Sequence, residues 1–102
     1  MAIDAEILQY LPDEYKERLQ NFEKMFSSKG WAQLLQFLKA SADEKQQRLL
    51  FAQNWDQFVF LKGEWNVLQE MVNLEESTYR EFEGIAEQAR EEAAVAVELE
   101  YE

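Results

Sequence analysis

Residues 28–74 read SKGWAQLLQFLKASADEKQQRLLFAQNWDQFVFLKGEWNVLQEMVNL and hold all three tryptophans, Trp31, Trp55 and Trp65. The second half of this stretch has the cleanest pattern in the chain. Phe58, Leu61, Trp65, Leu68 and Val72 follow spacings of three and four, the seam of a heptad helix. In the first half, Trp31, Leu34, Leu35, Leu38, Ala42 and Leu49 trace a helical stripe, with Ser28 placed to cap it. Ser41 to Arg48 is polar and predicts a solvated outer face. Residues 51–55 (FAQNW) predict the bend between two arms, with Asn54 capping the second. An uninterrupted helix over 30–72 competes with that bend, because no firm breaker lies between. Gly63 costs its helix about 1 kcal/mol relative to alanine. It reads either as a close approach of another backbone or as an exposed position that tolerates glycine.

The flanks attach to these arms. Asp4 caps one or two turns over residues 3–11, with Leu8 and Leu11 on one side. Pro12 opens a helix to about Phe26, carrying Tyr15, Leu19, Phe22 and Phe26 at spacings of four and three. Ser27 to Gly30 stops it. Past Leu74, Tyr79, Phe82, Ala86, Ala89, Ala93 and Ala96 continue the three–four spacing, and the stripe changes from aromatic to alanine. The last eight residues change period. Val95, Val97, Leu99 and Tyr101 alternate with small or acidic residues, which reads as a β-strand. A lone strand leaves its backbone unpaired, so it predicts pairing with another chain. A frayed tail or an extension of the preceding helix competes with it.

The expected fold is all-α, a helical hairpin or a three- to four-helix bundle, with that terminal strand paired to a neighbour. The expected division is a helical segment over 1–27, a central hairpin over 28–74 and an acidic helix with the strand over 75–102, in one structural domain. Chain length sets the same bound, since 102 residues support one modest core.

Composition narrows the function. The chain has no cysteine and no histidine. Disulfides, thiolate chemistry and the commonest general base and metal ligand are therefore not expected. Adjacent carboxylates such as Asp43-Glu44 and Glu91-Glu92 point in different directions on a helix and do not make a paired site. No phosphate loop, nucleophile elbow or EF-hand pattern is present. No enzyme class and no cofactor are expected. The net charge of −11 is uneven. Residues 1–74 carry 11 acids and 8 bases, and residues 75–102 carry 10 acids and 2 bases. Such a balance disfavours nucleic-acid phosphates and anionic membrane surfaces. No apolar run approaches the roughly 20 residues that span a bilayer. The N-terminus lacks a basic region of the secretory type, so a cytoplasmic location is expected.

The aromatic residues point to a protein contact. Trp31, Trp55, Trp65, Phe58 and Phe60 could line a ligand pocket, but at helical spacing they read more readily as core or interface. Phe51, Val59 and Phe60 fall off the seam and should stay partly exposed. The expected interface residues are Trp31, Phe51, Trp55 and Phe60, with Val95, Val97, Leu99 and Tyr101 at the strand.

The pattern Trp31, then Phe58, Leu61, Gly63, Leu68 and Leu74 in FVFLKGEWNVLQEMVNL resembles a group of small helical proteins of tailed bacteriophages. The resemblance implies a phage origin, a place in the virion or host cytoplasm, and no catalytic residues. It leads to the expectation of a non-enzymatic structural or assembly protein that self-associates or binds a protein partner. The alternative is an acidic inhibitor that imitates nucleic acid on a host enzyme. A packaging-motor subunit ranks below both, since it would want a basic face that this chain lacks.

Overall fold

The computed structural model describes residues 3–100 of the chain. Among these, the backbone forms five α-helices and no strand: α1 (Ala5–Leu8), α2 (Asp13–Phe26), α3 (Lys29–Leu49), α4 (Trp55–Val72) and α5 (Leu74–Glu100). They group into two compact units. The first comprises residues 1–25 and 75–102, and the second residues 26–74. The second contains residues 28–74, the stretch read as a central hairpin, and two residues before it. The two flanks, expected as separate attachments within one domain, fold together as the first.

Local chemistry sets the helix ends. Asp4 caps α1 by accepting the Glu6 N–H at 3.0 Å. The Ser28 hydroxyl caps α3 by accepting the Trp31 N–H at 3.1 Å. At the other end of α3, the Leu50 and Phe51 N–H groups bond back to Gln47 and Arg48 carbonyls, which tightens the last turn. Asn54 Oδ1 accepts the Gln57 N–H at 2.8 Å, and Gln57 Oε1 accepts the Gln53 N–H at 2.8 Å. This pair of reciprocal bonds resembles a capping box. It turns the chain at residues 50–54, so the uninterrupted helix does not form.

In the second unit, α3 packs on α4 as a hairpin. Its interior holds Phe26, Trp31, Leu38, Ala42 and Leu61. The heptad seam of α4 faces inward as expected: Leu61 is buried and Phe58, Trp65, Leu68 and Val72 are half-buried. Lys45 of α3 pairs with Glu64 of α4 at 2.6 Å across the hairpin. Gly63 would meet nothing within 4 Å if it carried a Cβ. Of its two readings, the exposed position is the one observed within the chain.

In the first unit, Ile3, Leu11, Leu19, Phe82 and Ala86 form one cluster, with Ile7, Leu8, Tyr15, Tyr79 and Ile85 packed around it. The Phe22 ring meets Phe82 edge-on at 5.9 Å between centroids. The alanine stripe of α5 begins well, since Ala86 is wholly covered. From Glu91 to Leu99 every residue is exposed, in keeping with the small area that alanine buries.

The expected terminal strand is not formed. α5 runs unbroken to Glu100, so Val95, Val97 and Leu99 are helical. Tyr101 lies outside the described residues. The preceding run, IAEQAREEAA, is built of strong helix formers. A helix also satisfies its own backbone, whereas a single strand needs a second chain. On a helix the alternation loses its meaning: Val95 and Leu99 share one side, and Val97 lies on the other with Ala93.

Candidate interaction surface

Two helices side by side cannot enclose a core, so the hairpin leaves much of its apolar content outside. Among the described residues, eight large hydrophobic side chains are buried and sixteen are exposed. None of the large side chains is fully covered. A monomer usually keeps the reverse balance between core and contiguous apolar surface.

Exposure is heaviest at the turn of the hairpin. Leu50, Phe51 and Trp55 are 80%, 81% and 73% exposed. The Trp55 ring stacks on Phe58 with centroids 5.6 Å apart. Phe51 borders an open groove of about 480 Å³, with Glu44, Gln47, Arg48, Gln57 and Leu61. Trp55 and Phe58 border a second of about 280 Å³.

Along the hairpin five exposed apolar residues share one face, while Val59 and Trp55 lie off it on α4. The Lys45–Glu64 ion pair marks that face. At 3.6 residues per turn, Leu34 lies about three turns before Lys45 on nearly the same bearing, with Phe37 beside it. Phe60, Val67 and Met71 lie within about 60° of Glu64 on the same reckoning. All five are exposed. The opposite face carries Lys39, Asp43, Gln46, Lys62, Asn66 and Gln69, with Trp55 on the bearing of Lys62 at the turn end.

The expected interface residues thus divide. Phe51, Trp55 and Phe60 are exposed on the hairpin, as are Val95, Val97 and Leu99 on α5. Trp31 is buried against Phe26, their rings 5.1 Å apart, and is a core residue in this chain. Sequence reasoning placed Leu34 in the core, where the structure exposes it, and passed over Phe37, Val67 and Met71. The seven-residue spacing of Phe60, Val67 and Leu74 was the available signal. It marks a second seam on α4, rotated away from the first.

Charge separates with the units. Residues 26–74 carry five acids (Asp43, Glu44, Asp56, Glu64, Glu70) and five bases (Lys29, Lys39, Lys45, Arg48, Lys62), a net of zero. The whole −11 therefore belongs to the first unit. There, burial and the nearby Glu23 and Glu75 carboxylates raise the Tyr79 phenol above its ordinary value of 10.0. Above that value the unfolded phenol ionises while the folded one keeps its proton. Stability is therefore intact below pH about 10 and falls as pH rises through the raised folded value. Tyr79→Phe should shrink the difference in urea-unfolding free energy between about pH 8 and about pH 11. An unchanged difference would show that Tyr79 does not contribute to the slope.

Among the described residues no group of three or more acidic side chains is placed to hold a metal ion. No helix is long and apolar enough to cross a membrane, again among the described residues. Comparison with protein-family models, with curated protein sequences and with solved structures gives no match.

Proposed function

We propose that this chain is a non-enzymatic assembly protein that works by docking its α3–α4 hairpin against protein. The observation that carries this reading is the one-sided apolar face, Leu34, Phe37, Phe60, Val67 and Met71, on a hairpin with no net charge. Exposed aromatic and Met residues beside polar ones have the composition of a protein interface. The bacteriophage-like pattern from Trp31 to Leu74 extends the proposal to assembly of a phage particle. Strand addition at the C-terminus forms no part of it, since α5 is helical there.

One observation favours the acidic-inhibitor reading as a second choice. Glu76, Glu83, Glu87, Glu91 and Glu98 fall on one side of α5, where they outnumber Arg80, paired with Glu76, and Arg90. A basic partner held by those carboxylates would be released by salt, whereas apolar docking is strengthened or unaffected by it.

The test is to place a photo-crosslinking phenylalanine analogue at position 60 of the full chain, in cells where its natural partners are present. The expected result is a covalent adduct with protein, formed equally well when the salt concentration is raised before irradiation. Irradiation that yields no protein adduct would overturn the docking role.

A further inference from the structure

We propose that the occupant of the hairpin face is a second copy of this chain, so that two α3–α4 hairpins close into a two-fold, four-helix bundle. This deepens the docking role above by naming its partner.

Three observations carry the inference. The first is architectural. A hairpin is one layer of two helices, and a layer with an apolar face needs a second layer. A copy of itself supplies the same face under a two-fold axis, with each patch meeting its own image. Two antiparallel hairpins then make a four-helix bundle.

The second is area. Leu34, Phe37, Phe60, Val67 and Met71 are 48%, 68%, 67%, 51% and 45% exposed. With the two aromatic rings at the order of 200 Å² each and the three aliphatic side chains somewhat smaller, these fractions leave roughly 400–500 Å² of apolar surface on one face. A standard interface buries about 800 Å² per partner, and homodimer interfaces are about two-thirds apolar. The face therefore supplies about the apolar area that a homodimer uses.

The third is charge. Two chains of net −11 repel wherever their acidic units meet. The hairpin, with five acids and five bases, is where two copies approach without that cost. Two ion pairs lie on the face, Lys45 with Glu64 and Arg48 with Glu44, and both are already made within each chain. They enter the bundle as satisfied pairs rather than as lone charges.

The experiment is sedimentation equilibrium of the full chain from about 1 to about 100 μM, the range over which interfaces of this size begin to associate. The expected mass is twice the 12.1 kDa of one chain. Val67→Glu places an unpaired charge at the centre of the face and should weaken association by about 100-fold or more. Val67 is half exposed in the single chain, so the variant should keep its helical circular dichroism. Asn66→Glu adds the same charge on the polar face and should leave association within about threefold of the parent. A single-chain mass throughout the range would overturn the inference, as would a dimer that both variants weaken equally or neither weakens. A single-chain mass together with a crosslink from position 60 to a different protein would overturn the self-association and leave the docking role standing. A crosslink to no protein would remove that role as well.

Discussion

Replacing Phe82 with alanine should cost about 3–5 kcal/mol, the range for emptying an aromatic site in a packed core. Phe82 is the aromatic member of the buried cluster of the first unit, beside Ile3, Leu11, Leu19 and Ala86. It joins α5 to α2 through the edge-on contact with Phe22. The neighbours are poorly placed to fill the space. Ala86 has no reach, and Phe22 is already partly in solvent. Total stability for a chain of this size is about 5–15 kcal/mol, so the loss is a large share of it. Urea unfolding followed by circular dichroism should show a lower midpoint, and some loss of helix before any urea is added. Phe51→Ala is the matched comparison. It removes the same ring from an 81% exposed position and should stay within about 0.5 kcal/mol of the parent. A Phe82→Ala cost below about 1 kcal/mol would mean that the cluster does not hold the unit together.

The contrast between these two phenylalanines shows what could be read from the sequence. Phe82 lies on a three–four stripe, and Phe51 follows the last turn of α3 with no stripe to join. Both positions were legible from spacing. So were the caps, because Asp4, Ser28 and Asn54 each combine a short side-chain acceptor with the start of a periodic run. Of the two readings of the C-terminus, the strand fails and the helix extension is observed, for a physical reason. Alternation over eight residues is a local pattern, and the run of alanine and glutamate before it extends the helix through it. Leu34 was misread because three–four spacing gives the direction of a stripe but not its width. The buried band of α3 is narrow: it takes in Leu38 and leaves Leu34 outside. The neutrality of the hairpin was present in the composition but invisible until the unit boundaries were known. A division at residue 74 alone mixes the acids of α1 and α2 with the balanced charges of α3 and α4.

Trp31 offers the second large effect, and it separates packing from hydrogen bonding. Trp31→Ala should cost about 3–5 kcal/mol, since the ring is buried in the hairpin interior against Phe26. Trp31→Phe should cost much less, under about 1.5 kcal/mol. The indole Nε1–H is buried without a protein acceptor, and a buried unsatisfied donor carries a penalty of about 1–3 kcal/mol. Phenylalanine removes that penalty while it keeps an aromatic face towards Phe26, and the two terms oppose each other. The helix cap is common to both variants, because Ser28 binds the backbone N–H of residue 31 rather than the ring. The difference between alanine and phenylalanine at this position therefore reports ring packing, less the few tenths of a kcal/mol by which alanine is the better helix former. Urea unfolding of both variants, read by circular dichroism because the substitutions remove a fluorophore, measures it. If phenylalanine cost as much as alanine, the ring would contribute nothing through packing, and the packing argument for Trp31 would fail.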